Sequence, residues 1–454
     1  MPNRNGQVPI VLITFVLILV IVFSTFILGL PYQHSFVAFL ALAVFFISFL
    51  NTDIALVIII ISMLLSPELR AGVVPTREIN VRAEDFLIFV VFIGWMAKMA
   101  VKKELGVLRK SPLNMPIALY MLVCVVSSLL AVADARLTVR ETSLYLLKYF
   151  EYYLLFFMVA NNLHTFKQAK KFVGALLAVC FVVCAIAWMQ VHTGQRLSTL
   201  FEGGGGEPNT FAGYLILMMA VILSFALHAQ EPRQRLLWAG FFVFALVPFV
   251  FTLSREGWFS FFPMIIAFLI FHRRSRYFIL FLLVAAALVV PFTSPKVVHE
   301  RFKDTFAKER TYDVLGKTVH VSESTAARID AWERGFVKLS QRPLLGHGVP
   351  GSGTIDNQYT RILTETGTLG FLLYAWIIVL IFRLARKTYS LQDTFSKSLS
   401  LGLVCGMAGL LAQSLGAAVF VLIRIMEPFW FITALVVTLP EISEESPDYT
   451  SDGT

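Results

Sequence analysis

Residues 211 to 228 read Phe211-Ala212-Gly213-Tyr214-Leu215-Ile216-Leu217-Met218-Met219-Ala220-Val221-Ile222-Leu223-Ser224-Phe225-Ala226-Leu227-His228, with no Asp, Glu, Lys or Arg. As an α-helix rising about 1.5 Å per residue, such a run covers about 27 Å, close to the roughly 30 Å of a bilayer's hydrocarbon core. One such run is a membrane span. Hydrophobic residues make up 57% of the chain and charged residues 15%, against roughly 25% charged in soluble domains.

Similar runs recur along the chain. Fourteen spans are expected, with twelve or thirteen as alternatives, at about 9–30, 34–50, 52–66, 84–101, 115–133, 144–161, 172–190, 211–228, 236–252, 257–271, 277–294, 367–384, 398–419 and 425–440. All should be helices, because in lipid only helices and closed barrels satisfy the backbone. The expected fold class is an all-α polytopic membrane helix bundle with one long extracytoplasmic loop containing short helices. The first span lacks a small-residue cleavage site and is expected to remain as a helix, with no soluble domain before it.

Basic residues in short loops set the orientation: Lys102, Lys103, Arg109 and Lys110; Lys167, Lys170 and Lys171; Arg233 and Arg235; Arg273, Arg274 and Arg276; Arg383, Arg386 and Lys387. Those loops should be cytoplasmic. Alternation then puts the loops at 67–83, 191–210, 254–256 and 295–366 outside, and the N-terminus and the acidic tail at 441–454 inside. Residues 1–190 form an N-terminal set of spans, 191–385 a central region with the long loop, and 386–440 the last spans. The net charge of +9 is accounted for by the basic rim, and no nucleic acid partner is expected. Cys124, Cys180, Cys184 and Cys405 all fall inside spans, so neither a disulfide nor a structural metal is expected.

Ionisable residues inside spans are costly, roughly 2.5 to 3.5 kcal/mol at mid-helix. Lys148 and Glu151 are three apart and share a helix face, which fits either a mutual ion pair or a polar cavity. Arg424 fits an interfacial anchor or a cavity cation. Thr252-Leu253-Ser254-Arg255-Glu256-Gly257-Trp258 breaks two apolar runs with almost no room for a loop. Arg255 there is either a snorkelling arginine with Trp258 as belt residue or an anion clamp offering two parallel donors to a phosphate. The outward loop Gln195-Arg196-Leu197-Ser198 through Gly203 to Gly206 reads as a hinge, since no GK[ST] follows the glycines. Pro208-Asn209 reads as a helix start, with Asn209 as its cap.

The long loop holds about seventy residues of dense charge, and loops of that length are usually functional or disordered. Ile329, Trp332 and Phe336 recur at spacings of three and four, which predicts an amphipathic helix over 324–340 opened by Ser324 and stopped by Pro343. Glycines 346, 348, 351 and 353 then make a turn-rich crossing to Asp356-Asn357 at the next span.

At these residues the chain resembles the O-antigen ligase and polymerase superfamily. The resemblance is carried by Glu207-Pro208-Asn209-Thr210-Phe211-Ala212, Ser254-Arg255-Glu256-Gly257-Trp258, Arg328 with Trp332 and Gly335, Pro343-Leu344-Leu345-Gly346-His347-Gly348, and Asp356-Asn357 followed by Glu365, Gly367 and Gly370. It covers about residues 190–385. It implies transfer of a glycan from a polyprenyl-diphosphate carrier to a glycan or lipid A core hydroxyl, on the outer face of the bacterial inner membrane. Membrane lipids and other polysaccharide assembly proteins would be its partners. No cofactor, nucleotide sugar or metal is implied. Carried over by position, Arg255 and Arg328 would hold the donor diphosphate, and Asp356 would act as general base where the ligases have histidine. Arg196, Asn209, Asn357, Trp332 and His347 would line the substrate site.

Asp356 and Asn357 also fit a plain helix cap, and His347 and His320 are alternative bases. An aspartate, ordinarily ionised near pH 7, is a weaker base than histidine, and it tilts the resemblance toward the polymerases. The alternative from another class is a transporter or flippase with Arg255, Lys148 and Glu151 along its path. A non-catalytic scaffold of an envelope complex is a third.

Overall fold

The computed structural model describes residues 32–66, 68–74, 77–101, 108–193, 195–198, 207–272, 276–280, 284, 309–314, 317–353 and 355–445. The chain begins with helices α1 (Tyr32–Leu50) and α2 (Thr52–Leu65), a hairpin of β1 (Glu68–Val74) and β2 (Arg77–Arg82), and α3 (Ala83–Val101). Next come α4 (Asn114–Ala133), α5 (Val139–Asn162), α6 (Phe166–Gln190), α7 (Pro208–His228), α8 (Pro232–Phe251) and α9 (Arg255–Phe271). A second hairpin, β3 (Glu309–Val314) and β4 (Lys317–Ser322), leads into α10 (Glu323–Gln341). The chain then returns through α11 (Gln358–Tyr389), α12 (Thr394–Gln413) and α13 (Ile423–Glu445).

The molecule is the expected helical membrane bundle. Among the described residues eight helices, α4 to α8 and α11 to α13, are long and apolar enough to cross a membrane. The expected span at 9–30, the glycines at 203–206 and most of the span at 277–294 lie outside the described residues. Among its described residues the long loop holds α10 ahead of the start of α11, and α10 is preceded by an antiparallel hairpin in which Glu309 faces Ser322 and Val314 faces Lys317. A matching hairpin pairs Val74 with Arg77 ahead of α3.

At the centre stands α7, almost wholly buried, against which α12 packs at backbone distance. A Cβ on Gly402 would lie 2.7 Å from Val221 Cα, and one on Gly409 would lie 2.6 Å from Ile216 Cγ2. Gly402 and Gly406 are four apart, the small-residue spacing that lets two membrane helices touch along their backbones. A second seam joins α5 to α13, where Trp430 meets Tyr153 at 4.9 Å and Phe156 at 5.5 Å between ring centroids. Aromatic pairs prefer such edge-to-face arrangements.

Two ends can be told apart by their contacts. At one, Arg109 pairs with Glu441 at 3.1 Å, Gln168 reaches Asp53, and His228 lies against His272. At the other, the loop end, Arg342 pairs with Asp134 between α4 and α5, and Arg424 reaches Ser66 O beyond α2. Arg109 and Lys170, from two of the basic short loops, stand at the first end, as alternation requires.

Several local expectations change. Lys148 Nζ lies 3.5 Å from Asp85 Oδ2, which adds a salt bridge to α3 that the sequence reading did not foresee. Arg424 is fully buried and not an interfacial anchor. The cap position of α7 is Glu207, which puts Asn209 inside the first turn. The span expected at 367–384 is part of a longer helix, α11, interrupted at Gly367.

Candidate functional site

Three helices start at the loop end around the finish of α12. Asn357 caps α11: its Oδ1 accepts from Thr360 N at 2.9 Å, and its Nδ2 donates to Leu415 O at 2.8 Å. Gln358 N donates to Ser414 O at 3.0 Å, and the Tyr359 hydroxyl to Leu411 O at 2.6 Å. On the other side of the same turn, Gln413 Nε2 donates to Asn209 O in the first turn of α7 at 2.9 Å. Asn209 Oδ1 in turn accepts from Ser254 Oγ at 2.7 Å, and Ser254 caps α9 by accepting from Gly257 N at 3.0 Å. One turn of chain, residues 413–415, thus fastens the starts of α7 and α11, with α9 joined through Asn209.

The joint between α8 and α9 is tight because Gly257 carries no side chain: a Cβ there would come within 2.6 Å of Ala212 Cβ on α7. Leu253 adopts φ of 50°, unusual for a residue with a β-carbon, and its carbonyl accepts from Arg196 Nη2 at 3.4 Å. Arg255 is the first residue of α9 and half-buried, while Asp356, just before the cap of α11, is exposed. Trp258 Nε1 donates to Val250 O at 3.2 Å, so this indole is part of the turn. Arg196, through Leu253 O, and Asn209, through Ser254, therefore lie beside the start of α9 where Arg255 stands, with Asn357 across the α12 turn. Each helix N-terminus presents the positive end of its dipole to the loop end.

Above this frame lies α10, which carries Arg328 and Trp332. Gly335 packs on Thr360, and Gly335 O accepts from Thr364 Oγ1 at 3.5 Å. Trp332 lines an open groove with Ile329, Phe336 and Val337, and its Nε1 is buried without a hydrogen-bond partner. The side chain of Arg328 lies outside the described residues.

Residues 343–349 and the break in α11 form one unit. At Gly367 the backbone turns to φ 67°, ψ −168°, which interrupts the helical ladder. His347 N donates to Thr364 O at 2.8 Å and Gly348 N to Glu365 O at 2.9 Å; Thr368 N donates to Pro343 O at 2.8 Å and Leu369 N to Leu344 O at 3.3 Å. The loop supplies the partners that the broken helix lacks, as buried backbone requires. Gly346, at φ 67°, makes the approach fit, since a Cβ there would lie 2.6 Å from Thr364 O. Ser128 Oγ accepts from Val349 N at 2.9 Å, and Ser127 donates toward Glu365 O at 2.8 Å, tying the unit to α4.

Inside the unit Glu365 is fully used. Its Oε1 accepts from Arg361 Nε at 3.0 Å and from Ser352 Oγ at 2.6 Å, and its Oε2 from the Tyr149 hydroxyl at 2.8 Å. Arg361 escaped sequence reading although it stands four residues before Glu365, the spacing of a helical ion pair. Gln413 and Tyr149 carry no comparable signal, because their partners are more than two hundred residues away in sequence.

His347 sits apart from this frame, on the side of α4 and α5. Its Nε2 donates to Lys338 O at 2.8 Å, and its Nδ1 faces Arg136 Nη1 at 3.4 Å. Burial holds its pKa below the ordinary histidine range; the Lys338 carbonyl pulls the other way, and the charges of Arg136, Lys338 and Arg342 add to the depression. Asp134 beside it is held below the usual carboxylate range by hydrogen bonds from Arg136 and Arg342. His320, on β4, has its side chain outside the described residues.

Residues 240–375 match the family model described as O-antigen ligase. The match starts within α8 and ends within α11, so it holds Arg255, all of α10, and the loop unit. No curated protein matches the chain.

Proposed function

We propose that this chain, whose residues 240–375 form an O-antigen ligase family region, is a membrane glycosyltransferase of polysaccharide assembly. Its donor is a glycan on a polyprenyl diphosphate, its acceptor a sugar hydroxyl, and its site the loop end of the bundle facing away from the cytoplasm in the bacterial inner membrane. The observation that carries this reading is the shared α12 turn, which braces the start of α11, next to Asp356, against the start of α7 and, through Asn209, that of α9, where Arg255 stands. A diphosphate is favoured where helix dipoles and guanidinium groups converge.

In the reaction the acceptor oxygen attacks the anomeric carbon of the donor sugar. The new glycosidic bond forms as the bond from that carbon to the diphosphate oxygen breaks. Asp356 takes the hydroxyl proton and releases it to solvent, and polyprenyl diphosphate departs with its charge held by Arg255 and Arg328. Arg196, Asn209, Asn357 and Trp332 border the glycan and carrier, and His347 stands behind them in the loop unit. For Asn357 and His347 the contribution is to hold the walls, since their polar atoms are already engaged. Transition-state charge is met by arginines in this scheme, with no metal or cofactor assigned a step.

The test is transfer by the purified chain, in detergent or vesicles, from a polyprenyl-diphosphate oligosaccharide with and without lipid A core. A ladder without core identifies a polymerase, and a single core-dependent shift identifies a ligase. Asp356→Asn should slow either product by about 10²- to 10⁴-fold, and Arg255→Ala by about 10²- to 10³-fold. Normal product from both variants in folded, inserted protein would overturn the reading.

A further inference from the structure

Outside the matched region, three helices and a hairpin bring seven charged residues into the interior of the bundle. Glu84 and Asp85 open α3, Lys148 and Glu151 lie on the middle of α5, Arg424 and Glu427 open α13, and Arg82 ends β2. All four carboxyl groups are buried, as is Arg424. Arg82 Nη1 lies 3.5 Å from Glu84 Oε1, Arg82 N donates to Asp85 Oδ2 at 3.0 Å, and Lys148 pairs with Asp85.

Two features mark this group as more than a structural ion network. Among the described residues four carboxyl groups stand against three cations. Glu427, fully buried, has no hydrogen-bond partner on either oxygen among those residues, and it lies within electrostatic reach of Glu84, Glu151, Asp85 and Arg82. Asp85 Oδ1 and Glu151 Oε1 are likewise buried without a hydrogen-bond partner among the described residues, and a buried carboxyl group without partners is held neutral at far lower cost than as an anion. Among the described residues the other helices packed on α13 bring no compensating charge. On α2, α6, α7 and α12, Asp53, Lys167, Lys170, Lys171, His228 and Lys397 stand at the opposite end, while Arg361 and Glu365 on α11 engage each other.

We infer that Glu84, Asp85, Glu151 and Glu427 form an intramembrane proton-binding centre that holds one proton when the bundle is folded, at a site separate from the glycan chemistry. The proton belongs to the group and not to one residue, since any of the four can carry the surplus charge. It reaches the centre from the loop end, where the side chains of Arg82 and Lys148 remain 13% and 20% exposed. Its loss leaves a buried negative charge without a counter-charge, so the packing of α3 and α13 on α5 loosens as pH rises.

Infrared difference spectroscopy of the full chain in detergent, with pH as the variable, tests this. The wild type should show the carbonyl band of a protonated carboxyl at neutral pH, and Glu427→Gln and Glu151→Gln should each remove it, whereas Glu427→Asp should keep it. Thermal unfolding should agree: as pH rises from the ordinary carboxylate range to the titration of the centre, the wild-type folded-to-unfolded ratio should fall by about tenfold per pH unit and then level off, and the Gln variants should not show that slope. A wild-type spectrum without such a band overturns the proposal, even where a variant does not fold, and so does a band that neither Gln variant alters. Loss of the band on adding sodium at constant pH would assign the charge to a metal cation and overturn it as well.

Discussion

Asn357 gives both ends of its amide to structure, one to the first turn of α11 and the other to Leu415, and its neighbour Asp356 is left exposed. Substituting Asn357 by Ala should therefore lower stability, by about 1 kcal/mol for the cap alone, while Asp356→Asn leaves the melting temperature unchanged and slows transfer. Thermal unfolding and product yield on the same preparations separate the two roles. Glu365 is the opposite case, a carboxylate with every contact inside the fold. Glu365→Ala strands the buried Arg361 and should cost about 3–5 kcal/mol, with the double variant Arg361→Met, Glu365→Leu recovering much of it; chemical unfolding in micelles measures both. His347 and Asp134 add an acid limit. Because the folded state keeps His347 neutral, stability should fall as pH drops below about 6.5, the ordinary value, and level off once the folded imidazole protonates. The contribution of Asp134 is lost at lower pH still, through the window below about 3.9. His347→Gln should remove the first decline in a pH series of melting curves. At this scale the sequence pointed to the residue types at the helix starts, through motifs with fixed spacing. It could not distinguish Asn357 as cap from Asp356 as exposed acid, because that depends on where Leu415 sits.

The apolar runs made the helices legible: thirteen described helices were read as such, and the ends of α4, α7 and α9 fall within a few residues of expectation. Less visible were the elements whose backbone partners are distant. Thr318-Val319-His320-Val321-Ser322 and Glu78-Ile79-Asn80-Val81-Arg82 alternate with period two, a strand signal, yet both passed as loop within long polar connections. The interruption of α11 was equally hidden. Gly367 reads as one more glycine in a span until Pro343 and Leu344 are placed against it. Replacing Gly367 by Ala should destabilise the loop unit, because a side chain would run into Leu344 and the left-handed backbone disfavours it; limited proteolysis between α10 and α11 would register the loosening. On α12, Gly402→Leu should force that helix from Val221 and lower the melting temperature more than any change at exposed Leu415.

For the whole molecule, alternation of helices was legible because charge in the short loops sorts to one end, and contacts such as Arg109 with Glu441 bear this out. Which helices neighbour one another was not legible. The pairing of α5 with α13 joins residues about 280 apart through Trp430 and the aromatic side chains of α5. The same is true of the charged centre, whose members come from the two halves of the chain and look, one at a time, like isolated anomalies.

The loop unit at Gly367 has a consequence for how the protein is made. The carbonyls of Thr364 and Glu365 have no helical partner and receive the amides of His347 and Gly348, while Ser127, Ser128 and Tyr149 complete the seat. Those last three residues leave the ribosome some two hundred residues earlier. The hairpin of α4 and α5 is thus in the bilayer, as a waiting template, before the loop or α11 exists. Until the loop docks on it, the first two turns of α11 are unfit for lipid, so this span cannot be laterally released on its own. Defects in Pro343 to Gly348 should accordingly surface during biogenesis, as incomplete membrane integration and quality-control degradation of nascent chains, before any effect on a finished protein can be seen.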